Sequence, residues 1–288
     1  MPVTNSPLRY PGGKTQLSGF VIELLRANNL FYGSYAEPFA GGAGIAWKLL
    51  LENFVSEVII NDIDPSLYAF WAAVLRHTDD LCERIERTRV TIREWHRQKL
   101  VQDQSRPRQL DLAYSTLFLN RTNRSGILKA GVIGGLKQDG EYQLDCRFNK
   151  SDLIQKIQRI ALYRDQIRLF RLDAEEFLRT LPKMAGKTTL VNIDPPYYHK
   201  GPELYCSFYE HQDHVRLSRI VKKLKLPWML TYDDAPEIRE LYAELPTYNK
   251  ELNYSAQVKR VGVELLILDP RLVLDASMAC SDTRKKIA

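Results

Sequence analysis

The protein has 288 residues, with 41 lysines and arginines against 35 aspartates and glutamates, which gives a formal net charge of +6. Its 44% of hydrophobic and 26% of charged residues are typical of a folded globular chain and exclude an intrinsically disordered one. The sequence contains neither an apolar run of about 18 residues nor a basic-then-apolar start, so we expect a cytoplasmic protein without a membrane span.

The four cysteines stand far apart and form no C-x-x-C pair, which predicts neither a zinc cluster nor a disulfide framework. The surplus of positive charge is compatible with a nucleic-acid partner, but many unrelated proteins carry a similar charge. Composition alone therefore leaves the function open.

The first informative segment is 35–47, where a strand-like start, a glycine-rich turn and an apolar helical pattern follow one another. Glycines in such a turn permit positive φ and let a ligand approach the backbone closely. Their G-G-x-G spacing is not the G-x-G-x-x-G fingerprint of dinucleotide-binding oxidoreductases, and a purely structural turn remains an alternative.

Asp62 lies about 20 residues beyond this turn, at the end of an apolar run at 56–60 that predicts a buried strand. A carboxylate at that position can accept hydrogen bonds from both ribose hydroxyls of a nucleoside-containing cofactor. The alternative role for Asp62 is a helix N-cap before Pro65.

The middle of the chain, from about 72 to 165, predicts an insertion that is mostly helical. An amphipathic helix is expected over 79–100, with packing as its main role. A polar, basic and glycine-rich stretch follows at 120–135, and long loops of this composition inside a compact protein are more often functional than idle.

The apolar run at 188–193 predicts a second buried strand, and it leads directly into Asp194, two prolines and Tyr197. Two consecutive prolines hold an extended turn and remove two backbone donors. The Asp194 carboxylate and the Pro195 carbonyl could then accept both hydrogens of an exocyclic amino group, with Tyr197 as a stacking surface. An ordinary rigid turn is the alternative interpretation.

Two further apolar runs, at 227–231 and 261–268, predict strands. The run at 227–231 ends at Tyr232-Asp233, so the predicted parallel strands all finish with an acid where α/β sheets bind their ligands. The chain ends in a basic tail that we expect to be disordered.

Taken together, four motifs resemble those of the Dam-type DNA adenine methyltransferases and occur in that family's order. These motifs are PLRYPGGK at 7–14, EPFAGGAG at 37–44, NDID at 61–64 and DPPY at 194–197. The resemblance implies an α/β fold, a Rossmann-like methyltransferase sheet with helices on both faces and an inserted, mostly helical target-recognition domain. It assigns 1–71 and 165–288 to the catalytic domain that binds S-adenosylmethionine, and 72–164 to the DNA-binding insertion.

The activity implied is transfer of a methyl group from S-adenosylmethionine to the N6 amino group of adenine in double-stranded DNA. The base would be flipped, and the methyl group would move by direct in-line displacement without a metal. Catalysis would fall to Asp194, Pro195 and Tyr197, with Asp62 on the ribose and Asp173 near the cofactor adenine, unless Asp173 merely caps a helix. The cofactor-binding positions carried over are Tyr10, Lys14, Glu37, Pro38, Phe39, Gly41, Asp62, Asp173 and Asp194.

The resemblance places target recognition in the insertion, where several residue types suit base edges and phosphates. The stretch 120–128 departs from the pattern expected of GATC-specific members, so GATC is not assigned as the target. Expected partners are double-stranded DNA and a cognate restriction enzyme, for a monomer or weak dimer of prokaryotic or phage origin, associated with the nucleoid. The predicted DNA-binding residues are Arg9, Arg121, Asn123, Arg124 and Lys129.

Two other kinds of protein remain as alternatives. A related methyltransferase acting on cytosine, RNA or protein glutamine would also hold a planar amino group on an x-P-P-Y loop. In that family comparison Asp194 is the choice of adenine enzymes, whereas cytosine enzymes tend to carry serine there and the others asparagine. The second alternative, a binding protein with an inactive nucleotide fold, is disfavoured because Asp62, Asp194 and Tyr197 are all present.

Overall fold

The described part of the chain, residues 4–9, 14–199, 209–254 and 260–274 of a computed structural model, is built around one seven-stranded sheet. Its strands are β1 Ser34–Glu37, β2 Glu57–Asn61, β3 Ile167–Phe170, β4 Thr189–Ile193, β5 Trp228–Asp233, β6 Thr247–Tyr254 and β7 Arg260–Leu268. They lie in the order β3-β2-β1-β4-β5-β7-β6. The strands from β3 to β5 are parallel, and β7 is antiparallel to both of its neighbours.

The helices cover both faces of this sheet. In the described ranges they are α1 Ser18–Ala27, α2 Gly44–Leu51, α3 Pro65–Arg76, α4 Thr78–Arg87, α5 Ile92–Gln102, α6 Gln109–Thr122, α7 Lys150–Ala161, α8 Ala174–Met184, α9 His211–Val221 and α10 Pro236–Leu241. Across these residues no helix combines the length and the apolar composition needed to cross a bilayer.

Alternate residues of the central strands enter two separate hydrophobic cores. In β2, Val58 and Ile60 pack into the core that includes α1, α2 and α3, whereas Ile59 packs into the core that includes α8 and α9. Leu190 and Val191 of β4 divide between the cores in the same way. Because both faces are buried, these strands read as continuous apolar runs, and the predicted α/β class with helices on both faces is confirmed.

The structure adds two strands that the sequence pattern missed, β3 and β6. Both lie at the edges of the sheet, where one side has no strand neighbour and polar residues are tolerated. In β3 only Ile167 is fully buried, and β6 has the sequence TYNKELNY, so neither gives the apolar run that marks a buried strand.

The helix predicted over 79–100 is wrong in detail, because the structure has two helices there, α4 and α5. Thr88 is extended at the end of α4, and the Thr91 side chain caps α5 by accepting a hydrogen bond from the Glu94 N–H at 3.2 Å. The two β-branched threonines favour this interruption.

Helix α6 lies in the region that is expected to be an insertion. Every residue from 113 to 122 is buried, so the helix is surrounded by protein and has no solvent face in its second half. Helix α3 packs on α6 and also on β3, and the boundary expected at residue 72 falls inside it. The division into a catalytic domain and a 72–164 insertion therefore stays a proposal.

Candidate active site

The order of the strands places a crevice between β1 and β4. The chain builds β2 and β3 on one side of β1 and then returns to add β4 on the other side. Ligands of open α/β sheets bind at such a reversal, outside the carboxyl ends of the strands. Glu37 is the last residue of β1, and Asp194 follows the last residue of β4, so both lie at this crevice.

The glycine-rich turn after β1 is held by Asp62. Gly41 has φ 49° and Ala43 has φ 48°, both in the left-handed region, so the turn is tight. The Gly41 N–H donates to Asp62 Oδ2 at 2.9 Å, and the Trp71 indole N–H donates to the Gly41 carbonyl, also at 2.9 Å. Asp62 thus joins the ends of β1 and β2, and its burial raises its pKa to about 7.

The alternative role of Asp62 as a helix cap is taken by its neighbour Asp64. The Asp64 side chain accepts from the Ser66 N–H at 2.8 Å and caps α3, which then has Pro65 as its first residue. Asp62 Oδ1 accepts from the Asp64 N–H at 3.0 Å. Each Asp62 oxygen keeps a second lone pair, which can still accept a hydrogen bond.

Glu37 lies beneath the crevice rather than on its surface. Its side chain accepts from the Tyr35 hydroxyl at 3.0 Å, and only 5% of the residue is exposed. Burial raises the pKa of Glu37 to about 8, and the nearby Asp194 raises it further. Near neutral pH the Glu37 carboxyl therefore holds its proton, and it adds little negative charge to the site.

The Asp194 carboxylate is anchored through one of its two oxygens. Oδ1 accepts from the Thr231 hydroxyl at 2.7 Å and lies 3.1 Å from the Lys14 ammonium nitrogen. Among the described residues, Oδ2 receives no hydrogen bond, and the side chain is 23% exposed. One oxygen is thereby fixed, and the other is presented to the crevice.

Lys14 connects this carboxylate to a second, buried one. Its ammonium nitrogen lies 3.2 Å from Glu264 Oε1 and also donates to the Tyr197 hydroxyl, which itself donates to Glu264. We call Lys14, Asp194, Tyr197 and Glu264 the lysine cluster. Burial raises the pKa of Glu264 to about 7, although Lys14 acts in the opposite direction.

Two prolines and one carboxylate fix the backbone of the D-P-P-Y loop. Pro195 and Pro196 are buried, and beyond them Asp233 accepts hydrogen bonds from the Tyr198 N–H at 2.8 Å and the His199 N–H at 3.1 Å. Asp233 is the last residue of β5. The loop is therefore tied to β5 on both sides of its prolines, through Thr231 and Asp233.

The expected stacking role of Tyr197 is not visible in this arrangement. The residue is 5% exposed, and the Lys14 nitrogen lies 4.7 Å from the centroid of its ring. A more accessible aromatic pair lies at Phe39, which is half-buried and has its ring centroid 5.9 Å from that of Tyr209.

The three remaining predicted cofactor positions are Pro38, Asp173 and Tyr10. Pro38 follows β1, and its carbonyl accepts from the Asn61 side chain at 2.9 Å, which fixes the start of the turn. Asp173 is exposed and caps α8 by accepting from the Glu175 N–H at 2.9 Å, the role weighed as its alternative. Tyr10 lies outside the described residues.

The structure contradicts the prediction that Asn123 binds DNA. It is fully buried; its Oδ1 accepts from the Trp95 indole N–H at 2.6 Å, and its Nδ2 donates to the carbonyls of Ile127 and Leu128. With its amide occupied inside the protein, Asn123 cannot read a base edge, and it holds the loop after α6 instead.

The other predicted DNA-binding residues lie nearer the surface, except Arg121. Arg124 and Lys129 are exposed, and Arg9 is half-buried. Arg121 is 9% exposed, and its Nε donates to the Pro7 carbonyl at 2.7 Å, which ties the N-terminal segment to α6. Burial lowers the pKa of Arg121 to about 10, with Arg9 as a further cause.

The sequence pattern identified Asp233 only as the acid that ends a predicted strand, and it missed Thr231 and Glu264. Both are polar residues among apolar neighbours in a strand, and that interruption is the signal that could have identified them. It also missed Asn120, whose side chain exchanges hydrogen bonds with the Arg9 backbone at 2.7 Å.

The chain is similar to two Type II methyltransferases. The Type II methyltransferase M.CviBI of Paramecium bursaria Chlorella virus NC1A is 25% identical over 277 residues, covering 90% of this chain and 95% of that protein. The Type II methyltransferase M.MjaIII of Methanocaldococcus jannaschii is 25% identical over 239 residues, covering 75% and 79%.

A solved structure and a family model complete the comparison. The rRNA methyltransferase aviRa from Streptomyces viridochromogenes aligns with a TM-score of 0.41 at 14% identity, covering 90% of this chain and 85% of that one. The model of the D12 class N6 adenine-specific DNA methyltransferases matches residues 10–258, which is most of the chain. The protein therefore belongs to the D12 class N6 adenine-specific DNA methyltransferase family.

Proposed function

We propose that this adenine methyltransferase holds the target amino group on Asp194 Oδ2 and the Pro195 carbonyl, in a site-specific reaction on double-stranded DNA. The observation that carries the proposal is the one-sided anchoring of Asp194. Thr231 and Lys14 both contact Oδ1, at 2.7 and 3.1 Å, so the carboxylate is oriented while Oδ2 can accept. A preoriented acceptor loses little on binding and acts where charge develops.

The residues at the crevice suit S-adenosylmethionine, whose use the family implies. Asp62 has lone pairs left for ribose hydroxyls, and the left-handed turn at Gly41 brings backbone close to the crevice. Phe39 and Tyr209 offer aromatic surface beside it. When bound, this cofactor supplies a methyl group activated by a sulfonium charge.

The chemistry assigned to the protein is positioning and charge stabilisation. Transfer of the cofactor's methyl group would leave the bonding electrons on sulfur and positive charge on the N6 nitrogen. The Asp194 carboxylate, held by Thr231 and Lys14, would stabilise that charge, and the proton that the nitrogen then loses would pass to solvent. The adenine must leave the base stack to reach this loop, which costs a few kcal/mol.

For DNA docking, we propose the face that carries the basic residues of the N-terminal segment and the insertion. Arg9, Arg121 and Arg147 lie close enough that each of the first two has its pKa lowered by like charge as well as by burial. Gathering guanidinium groups against their mutual repulsion is favourable once a polyanion neutralises them. Exposed Arg124 and Lys129 would extend the contact to further phosphates.

Separate substitutions in this region should distinguish DNA contact from structural support. Replacing the exposed Arg124 with alanine should weaken DNA binding and lower the slope of log K against log salt by about 1, because one phosphate contact is lost. Replacing the buried Asn123 with alanine should leave that slope unchanged and lower the free energy of unfolding by about 2 kcal/mol, since three partners lose their hydrogen bonds.

Fluorescence anisotropy over a salt series and urea unfolding would measure the two effects. Arg164, an exposed arginine at the opposite end of the sheet before β3, provides the control for Arg124. An Arg124→Ala variant with the parental salt slope would remove Arg124 from the interface.

The whole assignment can be tested by methylation-sensitive long-read sequencing of DNA from a host that has no such activity and expresses this chain. We expect N6-methyladenine at one recurring sequence, and none when Asp194→Ala is expressed instead. Methylated cytosine in the DNA would favour the cytosine alternative. A cognate restriction enzyme is proposed as a partner, and resistance of the methylated DNA to cleavage would identify the sequence that it cuts.

A further inference from the structure

The lysine cluster has more negative than positive charge, and this imbalance is not required by the positioning of Asp194. One ammonium nitrogen, that of Lys14, contacts two carboxylates, Asp194 at 3.1 Å and Glu264 at 3.2 Å. Thr231 already orients Asp194 from the other side. A single lysine–aspartate pair would be neutral, so Glu264 adds a charge that needs another explanation.

The described side chains of the strands next to Glu264 do not cancel this charge. In the register of the sheet, Glu264 of β7 lies opposite Asp233 of β5 and Lys250 of β6. Asp233 accepts from two backbone N–H groups of the D-P-P-Y loop, and the Lys250 nitrogen lies 5.7 Å from the Phe20 ring centroid. Among the described side chains, the two lysines and three carboxylates, Lys14, Lys250, Asp194, Asp233 and Glu264, sum to one negative charge when all are ionised.

Glu264 is buried, yet only one of its two carboxylate oxygens has a hydrogen-bond partner among the described residues. The residue is 2% exposed, and its Oε2 atom has no hydrogen-bond partner among the described residues. A buried carboxylate is unfavourable unless it is paired, and here one oxygen takes both Lys14 and Tyr197 while the other takes neither. A buried negative charge of this kind can favour the binding of a positively charged ligand at the site.

We propose that Glu264 sets the preference of the enzyme for S-adenosylmethionine over its demethylated product, by leaving the lysine cluster one negative charge that matches the sulfonium. The inference rests on the proposed function, which puts Asp194 beside the reacting methyl group. The two ligands share the adenosine and the amino acid and differ in the methyl group and one positive charge. A site with net negative charge binds the charged form more tightly and releases the neutral product.

The test compares dissociation constants by calorimetry for three ligands: S-adenosylmethionine, S-adenosylhomocysteine and an analogue in which a protonated amine replaces the methylsulfonium. For Glu264→Gln we expect the ratio of the homocysteine constant to the methionine constant to fall about tenfold, because one charge acting over several ångströms is lost. The amine analogue should weaken like the methionine form, which separates charge from methyl packing. Glu57→Gln, a paired carboxylate at the opposite end of the sheet beside Arg168, should keep the parental ratio.

A second measurement needs no substitution and so does not depend on the folding of a variant. Since the pKa of Glu264 is raised to about 7, the ratio for the unaltered enzyme should fall as pH decreases from 8.5 to 5.5 and the carboxylate takes up a proton. Burial raises the pKa of Glu37 to about 8 and that of Asp62 to about 7, so these carboxyls and the ligand amino groups also titrate in this range. The groups that face Glu264 are the same in the parent and in Glu264→Gln, namely Lys14, Lys250, Asp194, Tyr197 and Asp233. A fall that is steeper in the parent than in the variant therefore assigns the difference to Glu264, and equal falls overturn the inference.

The outcomes separate this inference from the function on which it rests. If both ligands bind and the ratio is the same in the parent and in Glu264→Gln, the inference is wrong and Glu264 is structural. If neither ligand binds the unaltered enzyme, the cofactor assignment itself fails. If Glu264→Gln weakens both ligands equally, the ratio is unchanged and the inference is likewise wrong. Weakening of S-adenosylmethionine and the amine analogue, but not of S-adenosylhomocysteine, supports it.

Discussion

Asp194→Ala is expected to lower the rate constant of methyl transfer by about a hundredfold to a thousandfold, the range for losing a preorganised group that stabilises transition-state charge. The variant should still fold, because Lys14 keeps Glu264 as a partner at 3.2 Å when the aspartate is removed. It should also keep DNA affinity, since the basic residues of the proposed interface are unchanged. Single-turnover transfer of labelled methyl groups to plasmid DNA and a gel-shift titration would measure the two properties.

Two further variants make the Asp194 result specific. Asp194→Asn keeps an oxygen that can accept from the amino group but removes the charge, so its rate should lie between the parent and alanine variants. Asp165→Ala removes an exposed carboxylate before β3, at the far end of the sheet, and should transfer methyl groups at the parental rate. Normal turnover by Asp194→Ala would overturn the catalytic assignment.

Lys14→Met is expected to lower the free energy of unfolding at pH 8 by about 3 kcal/mol, because breaking a buried ion pair leaves an uncompensated charge. The side chains of Lys14 and Glu264 are 4% and 3% exposed, so water can do little to replace the lost contact. Urea unfolding monitored by circular dichroism would measure the loss.

The loss should be smaller at pH 5.5, and the sign follows from Glu264. Its pKa in the folded state is raised from 4.5 to about 7, so its stabilising contribution is present below the unfolded value and is lost as pH rises through 7. Removing Lys14 takes away a group that lowers this pKa, so the carboxyl binds a proton still more readily and relieves the uncompensated charge. Equal losses at both pH values would contradict this account.

Two controls accompany Lys14→Met. Lys187→Met changes an exposed lysine in the turn before β4 and should cost a few tenths of a kcal/mol at most. Lys14→Arg keeps the positive charge and should recover most of the stability at pH 8. A wider guanidinium fits the Tyr197 hydroxyl and both carboxylates less well, so full recovery of catalysis is not expected.

Much of the fold and the centre of the site could be predicted from the sequence. The apolar runs of β2, β4, β5 and β7 identify buried strands because both faces of the sheet are covered, and the D-P-P-Y loop marks the end of β4. The family resemblance placed Lys14 and Asp194 at one site but did not predict their ion pair, since the two residues lie 180 positions apart and nothing local connects them.

The residues that were misjudged share one physical cause, which is burial. Asn123 looked like a base-reading residue because asparagine suits adenine, but α6 is enclosed on every side and the amide is used inside the protein. Glu264 attracted no attention as one acid in an apolar strand. Whether a polar side chain faces solvent or the interior depends on long-range packing, which local sequence patterns do not contain.

The sequence by itself determined the α/β class and the chemistry of the motifs at 37–44, 61–64 and 194–197, because short-range patterns and residue types suffice for both. The tertiary structure alone decided how those motifs meet. The topology brings β1 beside β4, and β7 beside β5, so that Lys14 comes to lie between Asp194 and Glu264. The net charge of +6 gave no sign of this cluster, in which one lysine contacts two carboxylates.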